Sequence, residues 1–147
     1  MKKIVLLGWT AIIVLMTASC NGNTQYHTYR PVAAAGWHRG DTLCFTIPSG
    51  DSTANTHQWT LGIRHKDSYA YRDIWLTLNG DTVHLQLADS LGYWYGNGIG
   101  ELRQYTHAIT PPDIRRQDSI TEIRITHIMQ DNPLKGIHDI GLQISNR

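Results

Sequence analysis

The sequence predicts an all-β protein: an antiparallel β-sandwich, jelly-roll-like or immunoglobulin-like, of about seven to eight strands. Three observations predict it. Apolar residues recur with period two from Asp41 onward, turn-forming clusters separate the rows, and no stretch carries a convincing helical period. Period two places alternate side chains on opposite faces of a sheet, so each row reads as a strand with one buried face.

Leu43, Phe45 and Ile47 form the first row, and Pro48-Ser49-Gly50-Asp51 is a loop after it. Trp59, Leu61 and Ile63 form the second, with polar Gln58, Thr60 and Arg64 between and beside them. Ile74, Leu76 and Leu78 form the third, and Trp75 makes its other face aromatic. Asn79-Gly80-Asp81 then signals a hairpin into Val83, Leu85 and Leu87, which alternate with His84 and Gln86. Pro111-Pro112-Asp113 is a loop, and Ile114 to Ile120 holds a single helical turn at most. Ile123 and Ile125 alternate with Glu122, Arg124 and Thr126. Asn132-Pro133-Leu134-Lys135-Gly136 is a turn before the final row of Ile140, Leu142 and Ile144.

The start of the chain is different in kind. Met1-Lys2-Lys3 is a positive head, Ile4 to Met16 is uncharged and apolar, and Thr17-Ala18-Ser19-Cys20 is a run of small residues ending in a thiol. That three-part order is an export signal. Its apolar part is shorter than the roughly twenty residues that cross a bilayer. The small residues before Cys20 resemble a bacterial lipobox, although Thr17 stands where many lipoboxes have Leu. In that pattern residues 1–19 are removed and Cys20 carries acyl chains. Each buried methylene contributes about 0.8 kcal/mol, so two or three chains anchor durably. Residues 20–29 are then read as lipidated Cys and tether, with polar Asn21 to Gln25 as its flexible part, and 30–147 as one sandwich domain.

Composition narrows the function. Without Lys2 and Lys3 the remaining 128 residues carry 11 basic and 12 acidic side chains, with no Lys/Arg run. Nucleic-acid binding needs a basic stripe, so it is not expected. With Cys20 committed to lipid, Cys44 has no disulfide partner and reads as a small residue packed in a sheet. The eight His (27, 38, 57, 65, 84, 107, 127 and 138) show no metal-ligand spacing and read as scattered polar surface residues. No nucleophile elbow and no phosphate-binding loop occur. Neither a cofactor nor a metal is expected, and the chain is read as no enzyme.

One segment stands out as a contact site. Tyr93, Trp94 and Tyr95 are adjacent aromatics bracketed by Gly92 and Gly96. Rings with polar tips are frequent where one side is buried and the other is wet. Two arrangements are open: the loop is a partner contact, or Trp94 plugs the core while the tyrosines lie flat on the surface.

Three blocks carry a family resemblance: Tyr71-Arg72-Asp73-Ile74-Trp75-Leu76, the run Gly92 to Glu101, and the run Asp131 to Leu142. With the lipobox and Gly36-Trp37, they resemble GldH, the gliding-motility lipoprotein family of the Bacteroidota, over nearly the whole mature chain. The resemblance implies a lipid-anchored envelope protein, associated with the gliding machinery or with a more general envelope role, without known enzymatic activity. Expected partners are other envelope or gliding-machinery proteins, and a membrane through the lipid. The absence of acidic residues at 21 to 25 favours a periplasm-facing domain. The alternative is a carbohydrate- or lipid-binding sandwich that uses Tyr93 to Tyr95 as a stacking platform.

Overall fold

A computed structural model describes residues 24–48, 57–112 and 120–146. The expected export signal, Cys20 and the helical turn expected at most within 114 to 120 lie outside the described residues, except that Ile120 opens a strand. Nine strands are described: β1 (Thr24–Pro31), β2 (Leu43–Pro48), β3 (His57–Lys66), β4 (Asp73–Leu78), β5 (Asp81–Gln86), β6 (Asn97–Ile99), β7 (Leu102–Ile109), β8 (Ile120–His127) and β9 (Ile137–Asn146). They form two antiparallel sheets, ordered β1-β9-β3-β7-β6 and β2-β8-β4-β5. The fold is a β-sandwich without helix among the described residues.

Each predicted apolar row lies on an inner face. Trp59, Leu61 and Ile63 of β3 and Ile140, Leu142 and Ile144 of β9 meet Phe45, Ile47, Ile74, Leu76, Leu78, Ile123 and Ile125 of the other sheet. All are essentially inaccessible to water. Burying side chains of this size contributes about 1.5–3 kcal/mol each. Asn79 and Gly80 both have positive φ, 50° and 98°, the geometry of a two-residue hairpin whose twist matches the flanking strands. The Asn79 side chain also accepts a 2.8 Å hydrogen bond from the Arg124 amide, which fixes β8 beside that turn. Cys44 is half-buried on β2, and Arg30 Nε donates to its carbonyl at 3.0 Å.

Two expectations are corrected. The stretch 20–29 is not all tether, because β1 begins at Thr24 and pairs with β9 from Ser145 to Asp139. Its sequence alternates poorly because what places it is the free edge of β9 rather than a buried row. Tyr29 lies flat across Gly62 and Gly141 of the two neighbouring strands, where any Cβ would strike its ring. The His residues are also not all superficial: His57, His65 and His127 are buried. His65 and Trp59 occupy the same inward register of β3, so the period-two row continues into a histidine.

The strand order sets two directions. β1 packs beside β2, closing one side of the sandwich. Thr24 and Gln58 flank the same residue, Ser145, so the chain enters at the end where β3 begins. From Gln58 to His65 is roughly 23 Å at about 3.3 Å per residue.

Candidate functional site

The aromatic segment is the far arm of a tight turn at the end of the sandwich opposite Thr24. It follows β5, and Leu87 and Ala88 donate their amides to the Arg72 carbonyl at 2.7 and 3.0 Å. Asp89 organises the turn. Its Oδ1 accepts from the amides of Leu91 and Tyr93, both at 2.9 Å, a local bond that short acidic side chains favour in turns. Gly92 takes φ of 90°, which suits glycine. Backbone bonds from Asp89 to Tyr93 and from Tyr95 to Leu87 close the two arms, and Arg72 Nη1 donates to the Ser90 carbonyl at 2.8 Å. A Cβ at Gly96 or Gly98 would strike the backbone of β7, so these glycines let the segment lie flat against that strand.

Within this turn the three aromatics separate. Trp94 is half-buried against the core, and its ring centroid lies 4.4 Å from that of His65. Tyr93 is 71% exposed and Tyr95 52% exposed. Leu91 and Ile99, at 80% and 93%, are exposed apolar residues on the same segment. Neither was singled out in the sequence. The signal was available: each is an apolar residue beside a turn glycine, where no core position exists. The Tyr95 ring in turn neighbours Tyr105 at 6.3 Å, and Tyr105 neighbours His107 at 6.1 Å.

The base beneath the turn is polar and buried. His65 has no accessible surface, and its Nδ1 lies 3.0 Å from the Lys66 carbonyl, which requires the proton on Nδ1. Nε2 is buried with no hydrogen-bond partner among the described residues. Burial therefore pushes the His65 pKa below the ordinary imidazole range, more than the Lys66 carbonyl and Asp67 raise it. The Tyr69 ring also neighbours His65, tilted with centroids 5.7 Å apart, and its hydroxyl donates to the Asp73 carbonyl at 2.9 Å. Burial raises the Tyr69 phenol far above its usual range, so it stays protonated. Arg103 grips Asp67 with two bonds, at 2.7 and 3.1 Å, and this holds the Asp67 carboxyl below its usual pKa.

The three sequence blocks singled out above meet at this end. Tyr71 of the first hydrogen-bonds Asp131 of the third, which raises the Tyr71 phenol pKa. The Asp67 amide donates to Glu101 of the second block, and the neighbouring Lys66 amide to Gly136 of the third. Trp37 bridges to Leu134, and its carbonyl accepts from His127 Nε2 at 2.9 Å. Arg39 reaches the Met129 carbonyl at 2.7 Å. Elsewhere, on the outer face of the second sheet, Trp75 stacks on His84, which contacts Asp73 Oδ2 at 2.8 Å. Among the described residues no three His, Cys, Asp or Glu side chains converge as a metal set would.

No curated protein and no solved structure matches the chain. A family model described as GldH lipoprotein matches residues 24–144, which takes in all nine strands almost to the end of β9. The chain belongs to the GldH lipoprotein family.

Proposed function

We propose that this lipoprotein is a non-catalytic interaction component of the cell envelope, associated with the gliding-motility machinery. It is anchored through acylated Cys20, faces the periplasm, and meets a partner protein through the loop of Tyr93, Trp94 and Tyr95. One observation carries the reading. Tyr93 and Tyr95 are exposed on a turn fixed by Asp89 and seated on Trp94, at the end of the sandwich away from Thr24.

The tether geometry supports it. Only three residues, Asn21 to Asn23, separate Cys20 from β1, so the four Cα–Cα steps from Cys20 to Thr24 reach at most about 14 Å. The Thr24 end therefore stays near the membrane, and the aromatic turn is held a strand length further out. Exposed aromatics with few rotatable bonds give large contact area at low entropy cost, and such residues dominate binding energy in interfaces.

The test is recovery of partners from gently solubilised envelopes with the tagged, lipidated chain, comparing wild type with Tyr93→Ala and Tyr95→Ala. Loss of specific protein partners in both variants, with melting temperature held, supports the reading. Full recovery overturns the loop as the contact. Retention of the wild-type chain on a glycan array, without protein partners, favours a carbohydrate-binding role for the same rings.

A further inference from the structure

Among the described residues, strand-to-strand packing closes the sheets against one another at the β1 and β2 side. β1 lies beside β2, but β5 and β7 leave a seam on the other. β5 has β4 as its one strand partner among the described residues. β6 pairs with β7 from Leu102 to Gln104; from Tyr105 to Ile109, β3 is the one strand partner of β7 among the described residues. Between these two free edges runs a groove of about 390 Å³, lined by Val83, His84 and Leu85 on one side and His107, Ala108 and Ile109 on the other.

The backbone groups that face this groove follow from the hairpin. Ile99 and Leu102 flank the two-residue turn Gly100-Glu101, so they exchange hydrogen bonds with each other. Alternation along β7 then points the N–H and C=O of Thr106 and Ala108 to the free edge, and those of Tyr105, His107 and Ile109 to β3. The bond from the Asp67 amide to the Glu101 carbonyl fits the same phase.

Free edges are commonly guarded by Lys, Pro or inward charge. β1 carries Arg30 and Pro31, and β2 ends at Pro48. Residues 104–109, Gln-Tyr-Thr-His-Ala-Ile, carry no such guard within β7, and Pro111 and Pro112 line the groove just past its end. Among the described residues, Asp81 is the one formally charged side chain along the groove. Val83, Tyr105 and Ile109 are only partly buried although packed against the core, so the seam leaves apolar surface uncovered. The aromatic contacts from Tyr95 through Tyr105 to His107 run from the contact turn into this groove.

We propose that an extended, uncharged segment of a partner protein binds here by strand addition, pairing its backbone with Thr106 and Ala108 of β7. Its alternate apolar side chains lie against Val83 and Ile109. An acyl chain fits the apolar walls but cannot satisfy the unpaired amides and carbonyls on the rim, whereas a peptide backbone satisfies both. The proposal rests on the interaction reading above and adds the chemistry of the partner and its mode of contact.

Short random peptides displayed on phage are panned against the full lipidated chain in detergent, and the enriched peptides are synthesised. The expected result is a set of uncharged, alternating apolar sequences. Their binding slows amide exchange at Thr106 and Ala108. It weakens about tenfold or more in Ala108→Pro, which removes one outward amide and leaves the β3 ladder intact. Ala108→Lys, which places a guard on the edge and keeps the amide, should weaken binding as well. Circular dichroism verifies the fold of both.

Each of these results overturns the proposal: no enrichment, binding by both variants equal to that of the wild-type chain, slow exchange at both amides in the free chain, or edge-to-edge dimers of the chain itself. Loss of envelope partners in Tyr93→Ala with full retention in Ala108→Pro overturns strand addition while leaving the interaction reading standing. Retention in both variants removes the two together.

Discussion

The indole of Trp94 rests on the buried imidazole of His65, with ring centroids 4.4 Å apart and planes inclined by 59°. This contact joins the turn to the core while its neighbours Tyr93 and Tyr95 stay in water. Trp94→Ala is therefore expected to lower stability by about 2–3 kcal/mol, less than the loss for a fully buried Trp. Tyr93→Ala should stay within about 0.5 kcal/mol. Urea unfolding of the two variants checks this, and equal losses would place Tyr93 in the packing rather than at a contact surface.

Acidification should destabilise the fold through His65 and His127. Both are buried, and in each burial is the largest cause of a pKa below the ordinary 6.5. The unfolded chain therefore binds protons at a pH where the native imidazoles remain neutral. Stability is full above pH 6.5 and falls as pH drops from there toward the lower native pKa values, at no more than about 1.4 kcal/mol per pH unit for each group. Denaturation midpoints from about pH 7.5 to about pH 5 measure it. His127→Gln keeps a donor for the Trp37 carbonyl and should flatten the slope; an unchanged slope in both His127→Gln and His65→Leu would refute the assignment.

Tyr29 and Arg64 form a clasp on the outer face of the five-stranded sheet. The guanidinium carbon of Arg64 lies 3.9 Å from the Tyr29 ring centre, Nη1 is 3.2 Å from Asp139 Oδ2, and Nε is 3.1 Å from Gln104 Oε1. The ring lies where Cβ atoms at Gly62 and Gly141 would be. Gly141→Ala should cost about 1–3 kcal/mol by overpacking. In the Tyr29→Ala background the same change should cost much less, because the collision partner is gone. A double-mutant cycle with no coupling would show that the ring is not what excludes the methyl group.

Cys20→Ser should leave the chain unprocessed or release it from the membrane fraction. The stretch from Asn21 to Asn23 has neither apolar nor basic residues that could anchor it otherwise. Membrane fractionation with radiolabelled fatty acid reads both outcomes. A mature-sized, membrane-bound Cys20→Ser chain would remove Cys20 as the lipid site.

The aromatic turn was legible in sequence as a cluster, Tyr93-Trp94-Tyr95 between two glycines, but its geometry was not. Alternation alone left open which of the rings faces the core. The choice is made by His65, twenty-nine positions upstream of Trp94, whose inward register on β3 offers a flat polar surface to an indole. β7 was missed for a related reason. Its inward positions are Arg103, Tyr105, His107 and Ile109, so a count of aliphatic residues finds no row there. β6 has three residues, too few for a period to register.

The sequence by itself determined the sandwich class, the six apolar rows and the Asn79-Gly80 hairpin. Each rests on neighbours within a few residues, where period and turn chemistry act. Only the tertiary structure decided the strand order, the place of Thr24 to Pro31 in the sheet, and, among the described residues, the seam between β5 and β7. It alone brought the blocks at 71–76, 92–101 and 131–142 to one end. These depend on which edges meet across the chain, as when Thr24 pairs with Ser145, and nothing in a local hydrophobic pattern states which strand lies beside which.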